Sequence, residues 1–204
     1  MDIGSIIKAP LDDKDWIKKC LLMGLMALIP FAGPLNLIGW QVVYGRQRIA
    51  GRGTELPEAN LNYIGTGFNL LLAMLPLLGL LIVASIVLSI VGMILGKIAG
   101  PLALLTMAVS LPLNLVAGVL LPVFVYRHIA HEDQWSSKEI RWAIEVVKAN
   151  MTPVLMLWVT MMVIGFIGGL GMIALGLGLF LTYPLAIAMG GAAMAEFAKV
   201  TNRA

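Results

Sequence analysis

Four stretches of this chain carry no Asp, Glu, Lys, Arg or His: 20–45, 59–96, 98–126 and 149–195, which are 26, 38, 29 and 47 residues long and together make 140 of the 204. A hydrocarbon core about 30 Å thick needs about 20 apolar residues in a helix to cross it. The pattern predicts an all-α integral membrane protein forming one membrane domain over 1–204. Leu, Met, Ala and Gly dominate the stretches, whereas a transmembrane barrel would show alternating segments of about ten residues.

The last stretch is long enough for two crossings, about 70 Å if all helical. It predicts a helical hairpin over 150–195 with a turn at Gly165, Gly168, Gly169 and Gly171. The unit over 59–126 divides near Lys97, Gly100 and Pro101. Its first arm is about 57 Å long if helical, too much for one upright span. Asn62, Thr66 and Asn69 share one face there and Leu61, Ile64, Phe68 and Leu72 the other, which predicts an interfacial helix before a span starting near Leu71. Residues 136–149 are a second amphipathic helix, with a Ser136/Glu139 capping box. Ile140, Ala143, Ile144 and Val147 line its apolar face, and Lys138, Arg141, Glu145 and Lys148 the polar one. Such a helix lies in the headgroup plane.

The unit over 20–45 has two readings. It crosses once, kinked by Pro30 and Pro34, or it is a re-entrant hairpin whose arms, each under about 20 Å, meet at Pro30-Phe31-Ala32-Gly33-Pro34. The basic residues bear on the choice. Lys8, Lys14, Lys18 and Lys19 precede the unit, Arg46, Arg48 and Arg52 follow it, Lys97 stands alone, and the rest lie at 127–148 and 199–203. Cytoplasmic loops are enriched in Lys and Arg. Four transmembrane helices plus an N-terminal re-entrant hairpin put 13 basic residues in the cytoplasm and leave Lys97 outside, with 1–19 and both termini cytoplasmic. The five-span alternative leaves 5 outside and 9 inside.

Composition then narrows function. Charged residues are 12% of the chain, against about 25% in a soluble domain. The length leaves no room for a soluble catalytic domain, and the net charge of +3 is membrane-flank charge with no nucleic-acid footprint. The first nineteen residues are too polar for a signal peptide. Cys20 is the single cysteine, so there is no intrachain disulfide; it follows Lys18-Lys19, where juxtamembrane cysteines are acylated, and it also suits the role of a small buried apolar residue.

Candidate chemistry is sparse. His128 and His131, with Glu132 and Asp133, have helical spacing but lack a further ligand set, and a hydrated flank is the plainer reading. Asn36, Gln41 and Asn114 are the strongest polar groups at membrane depth. They are candidates for a substrate-polarising site, or for interhelical hydrogen bonds worth about 0.6 kcal/mol each. No ionisable residue lies inside the stretches, which argues against proton pumping, voltage sensing and acid–base catalysis. Gly92-xxx-Gly96 and Gly165-xxx-Gly169 let helices approach closely, for internal packing or for a partner. A weak internal repeat aligns Trp16-Ile17 and Pro30 with Tyr63-Ile64 and Pro76, and Pro34-Leu35-Asn36-Leu37 with Pro112-Leu113-Asn114-Leu115. No phosphate loop, nucleophile elbow or metal motif is present, and no cofactor is expected.

Residues 13–18, Pro30-Phe31-Ala32-Gly33, Gly39-Trp40-Gln41, the basic loop 46–57 ending in Glu55-Leu56-Pro57, Val147-Lys148-Ala149-Asn150 and Thr182-Tyr183-Pro184 follow one another in an order that resembles the prokaryotic membrane family called domain of unknown function 4013. The resemblance covers essentially the whole chain. It implies a multi-pass protein of the prokaryotic cytoplasmic (inner) membrane and carries over no activity, substrate or catalytic residue. The expectation is a non-enzymatic membrane protein, an accessory or scaffold subunit of a larger complex, whose partners are the lipid bilayer and other membrane subunits or itself. The alternatives are a small transporter or channel, resting on the broken helices, and a lipid-interacting or membrane-shaping protein, resting on the interfacial helices.

Overall fold

The computed structural model describes residues 1–98, 103–131, 138–172 and 178–201. Among them all regular structure is helical: α1 Ile3–Lys8, α2 Trp16–Met26, α3 Ala32–Ile49, α4 Ile64–Ile98, α5 Ala103–His131, α6 Lys138–Ala149, α7 Met151–Gly169 with a 3₁₀ turn Leu170–Met172, and α8 Leu179–Thr201. Three helices among the described residues are long and apolar enough to cross a membrane, over Ile64–Lys97, Met151–Met172 and Leu179–Thr201.

The last of these is the hub. α8 packs against α1, α2, α3, α5 and α7. Its sequence explains why: Ala186, Ala188, Gly190, Gly191, Ala192, Ala193, Ala195 and Ala198 are all buried, so neighbouring backbones come close. A Cβ at Gly191 would sit 2.8 Å from the Gln41 carbonyl of α3, and one at Gly24 would fall on the Phe180 carbonyl. α7 closes on α8 through Gly168, where a Cβ would meet that of Ala186 at 3.0 Å, and through the Thr182 hydroxyl, which donates to the Gly168 carbonyl at 2.9 Å.

α4 is the opposite case. It is 35 residues long, about 52 Å, and only 6% of its most apolar window is buried, against 61% for α8. Gly67, Leu70 and Leu77 are buried, with Met74 and Leu81 packed beside them; this stripe at helical spacing meets the rest of the fold. Beyond Leu81 no residue up to Lys97 is buried.

Several expectations are corrected. No break separates an interfacial segment from a span near Leu71; α4 is continuous through Thr66, Asn69 and even Pro76. Its opening polar positions are reconciled with packing by Gly67, which lets α4 meet α3 at Leu35 and Gly39. In the third unit α7 runs through Gly165 and Gly168 to Gly169, so the expected turn lies later, beginning with the 3₁₀ turn at Leu170. The repeat has no structural counterpart: Pro30 lies between helices and Pro76 inside one, while Pro34 is in the first turn of α3 and Pro112 is mid-α5. The second amphipathic helix spans Lys138–Ala149; Ala143 is buried and Val147 packs beside it as expected, but Ile144 is 42% exposed, and Trp142 and Val146 complete the packed face in its place. The residues of its capping box before Lys138 lie outside the described residues.

The first unit is broken at residues 27–31, as Pro30 requires, into α2 and α3. Met23 Sδ accepts from Asn36 Nδ2 at 3.8 Å, so the chain has turned back on itself there. α2 is 11 residues, about 16 Å, but α3 is 18, about 27 Å, because nothing in Arg46-Gln47-Arg48 stops a helix. It ends in a Schellman motif, with Gly51 (φ 65°) donating to the Arg48 carbonyl and Arg52 to that of Gln47.

Candidate functional site

Residues 50–63 form no helix, yet Leu56 and Pro57 are buried. A buried segment outside secondary structure must find partners for its backbone polar groups. Here the side chains of the first unit supply them, and the segment becomes a strap laid along α3.

The partners come in register. The Tyr44 hydroxyl donates to the Thr54 carbonyl at 3.4 Å, Trp40 Nε1 to the Pro57 carbonyl at 3.0 Å, and Asn36 Nδ2 to the Asn60 carbonyl at 2.7 Å. Asn36 also accepts from the Tyr63 N–H at 3.1 Å. Positions 36, 40 and 44 recur every four residues, so one face of α3 reads the strap from end to end. Asn36, Trp40 and Tyr44 have no exposed surface.

At the middle of the strap sits an ion pair. Lys19 Nζ lies 3.0 Å from Asp13 Oδ2 and donates to the Leu56 carbonyl at 2.8 Å; Glu58, exposed, approaches it at 3.4 Å. Asp13 in turn accepts from the Leu56 N–H at 2.7 Å and from the Asp15 N–H at 2.7 Å. Both polar groups of Leu56 are thus held by one charged pair, which is 4% and 9% exposed. Burial would raise the Asp13 carboxyl, but the Lys19 ammonium and the two N–H donors outweigh it and hold the group below its ordinary range. Burial would lower Lys19, and Asp13 and then Glu58 outweigh that and hold it above its ordinary range.

The sequence-nominated residues fall in different places. Asn36 belongs to the strap clasp. Gln41, five residues on, lies against Gly190 and Gly191 of α8, so the two amides do not converge. Asn114 is in α5, with its side chain outside the described residues. Gly165 and Gly169 face open space; Gly92 is half-buried and Gly96 exposed. Cys20 is fully buried, which withholds its thiol from an acyl donor. The His128 carbonyl accepts from Arg46 Nη2 at 3.1 Å, and Glu132 and Asp133 lie outside the described residues. Among the described residues no three His, Cys, Asp or Glu gather as metal ligands.

Sequence reasoning passed over Asp13, Lys19 and Trp40 as site residues. The only signal was indirect: stretches 13–18, 39–41 and 46–57, singled out in sequence, meet at this clasp.

The C-terminal ends of α3, α5 and α8 also come together. A Cβ at Gly45 would lie 3.0 Å from Ile129 Cγ2 and 3.3 Å from the Gly191 carbonyl. Tyr126 meets Phe197 edge-on with centroids 4.9 Å apart and stacks on Trp142 at 6.3 Å, and its hydroxyl lies 3.3 Å from that of Thr201. Arg127 sits over the Trp142 ring at 4.7 Å.

Comparison with protein-family models, with curated proteins and with solved structures gives no match.

Proposed function

We propose that this is a non-enzymatic multi-pass membrane protein that serves as a scaffold or accessory subunit, binding another membrane helix along α7. The observation that carries this reading is the position of Gly165 and Gly169. They are four residues apart on α7 and meet nothing within 4 Å, while Gly168 on the same helix packs against Ala186 of α8. Glycine costs about 1 kcal/mol in a helix interior relative to alanine. Among the described residues nothing meets these two outward glycines to offset that, whereas they allow the close approach of a second helix. The sparse cover on α4 and its half-buried Gly92 and exposed Gly96 agree with the same reading.

In the topology that goes with it, α4, α5, α7 and α8 cross and α2–α3 re-enter. Eleven residues of α2 are too few to cross. Leu28, Ile29 and Phe31 at the turn are exposed and apolar, and the N–H groups of Leu28, Ile29, Ala32 and Gly33 bond locally, which supports placing the turn at membrane depth. The clustered ends of α3, α5 and α8 then lie on the cytoplasmic side with their basic residues, and both termini with them. Assignment to the prokaryotic inner membrane rests on the family resemblance.

The test is native mass spectrometry of the protein purified gently from its membrane, followed by Gly165→Leu/Gly169→Leu. A stoichiometric partner, or a second copy, that the double variant loses while keeping its thermal stability supports the reading. A lone protein carrying only lipid overturns it and returns the question to flux and vesicle-remodelling assays.

A further inference from the structure

α6 ends at Ala149, and α7, long and apolar enough to cross a membrane, begins at Met151. Pro153 has no N–H to offer the Ala149 carbonyl, which stops α6 from running on. Asn150 (φ −129°, ψ 42°) makes the joint, and its Nδ2 donates to the Val146 carbonyl at 3.2 Å. Backbone bonds from the Asn150 N–H to the Val146 carbonyl and from the Val154 N–H to the Asn150 carbonyl, both 2.9 Å, tie the two helices across it. A joint of one residue keeps α6 at the level where α7 enters the bilayer.

The apolar side of α6 is already taken. Trp142, Ala143, Val146 and Val147 pack inward, with Trp142 stacked on Tyr126 of α5. What α6 turns outward is Arg141, Ile144, Glu145 and Lys148. Ile144, Lys148, Met151 and Leu155 are exposed and follow one another at intervals of four, three and four, the spacing of one helical face. Beyond Leu155 the exposed positions Val159, Met162 and Phe166 are apolar. The exposed face thus changes at the joint, from apolar on α7 to two cations around one isoleucine on α6. A bilayer changes from hydrocarbon to headgroups in the same way. Arg141 and Lys148 form no ion pair among the described residues, and their stems leave the charged ends free to reach outward. With Glu145 between them, these three side chains carry one net positive charge.

We infer that α6 binds the headgroups of anionic phospholipids in the leaflet that α7 enters, with Arg141 and Lys148 on the phosphates and Ile144 at the boundary of the acyl chains. A zwitterionic lipid offers that face no net charge. An acidic segment of a partner protein would match the cations but not the apolar face of α7 that continues from them. The inference rests on α7 crossing the bilayer, and not on a partner along Gly165 and Gly169.

The test uses the full-length protein with an NBD fluorophore on Met151→Cys, in phosphatidylcholine vesicles holding a small fraction of phosphatidylglycerol or phosphatidylcholine with nitroxide-labelled acyl chains. Cys20 is fully buried and does not compete for the label. One net charge at the headgroups corresponds to about fivefold enrichment of phosphatidylglycerol over phosphatidylcholine at the probe. Arg141→Gln and Lys148→Gln should each remove that enrichment, Glu145→Gln should raise it about fivefold again, and molar salt should collapse it. All three side chains are exposed, so the fold does not depend on them. Strong quenching that is equal for the two lipids, or a preference indifferent to all three substitutions, overturns the inference and leaves α7 in the bilayer. Quenching by neither lipid, at Met151→Cys and at Val159→Cys alike, overturns the inference together with the crossing of α7.

Discussion

Replacing Lys19 with Met should open the strap without dismantling the helices. Lys19 Nζ makes three contacts, to Asp13, Leu56 and Glu58, and only Glu58 is exposed. Removing one member of a buried pair costs about 3–5 kcal/mol, because the other charge is left behind. Asp13 keeps the N–H groups of Leu56 and Asp15, which places Lys19→Met near the lower end, about 3 kcal/mol. At 1.4 kcal/mol per tenfold, that is about a hundredfold rise in the open population. Hydrogen exchange of peptides covering 54–63, with the protein in nanodiscs, reads that population directly, and the peptides of α8 serve as the internal control. Asp13→Leu should cost at least as much, since it strands Lys19 and two N–H donors together. The double variant Asp13→Leu/Lys19→Met should fall short of the summed single effects by about 2 kcal/mol, as groups in one network do. Glu58→Gln, at a partner 81% exposed, should change exchange little. If Lys19→Met leaves exchange over 54–63 within threefold of the parent, or if the singles simply add, the ion pair does not hold the strap and the clasp argument fails.

Asn36→Leu should leave the Asn60 carbonyl and Tyr63 N–H without partners, at about 1–3 kcal/mol each, and raise exchange at Tyr63; a change of solute flux in liposomes with exchange unaltered would instead favour a conducting site. The pH dependence of the strap should be flat in the middle and fall at both ends. Asp13 is held below its ordinary 3.8, so its stabilisation is complete above that pH and is lost as pH falls through the lowered value. Lys19 is held above its ordinary 10.5, so its stabilisation is complete below that pH and is lost as pH rises through the raised value. The anisotropy of a probe on Glu55→Cys checks this, and a transition near neutral pH would contradict it. Gly67→Ala should destabilise the fold by about 3 kcal/mol or more, because the new Cβ falls on the Leu35 carbonyl of α3, whereas Gly65→Ala, with nothing within 4 Å, should stay within about 1 kcal/mol in thermal unfolding.

The helices were legible because the bilayer imposes a length and a composition on them, and 59–96, 98–126 and 149–195 carry both signals. The break at Pro30 was legible because proline lacks a donor and clashes in a helix. The rule does not extend to every proline: Pro76 and Pro184 both sit inside continuous helices. The pattern Asn62/Thr66/Asn69 reads as the polar face of a surface helix. Its continuation into α4 was hidden because a glycine contact, Gly67 on Leu35, has no hydrophobic signature. The strap was illegible for a related reason. What Asp13, Lys19, Asn36 and Trp40 recognise is backbone, the amide and carbonyl of Leu56 and those of Pro57, Asn60 and Tyr63. A backbone partner leaves no mark on residue identity, so a charge pair and an amide that serve one segment look like unrelated flank residues.

The same limit explains why the small-residue motifs did not separate in sequence and do separate in space. Gly165 and Gly168 are three residues apart and identical in chemistry, yet a Cβ at Gly168 meets Ala186 at 3.0 Å while one at Gly165 meets nothing. A bulky side chain at Gly168 would therefore have to push α7 off α8, with a cost in stability whatever else is bound. At Gly165 it would cost the isolated chain nothing and would gain helix propensity. Inward glycines answer to the fold, and outward ones answer only to what lies beyond it. For that reason Gly168→Leu is the control that gives Gly165→Leu/Gly169→Leu its meaning. Loss of a partner with unfolding, as expected at Gly168, says nothing about the surface; loss of a partner without unfolding, at Gly165 and Gly169, locates the interface on the outer face of α7.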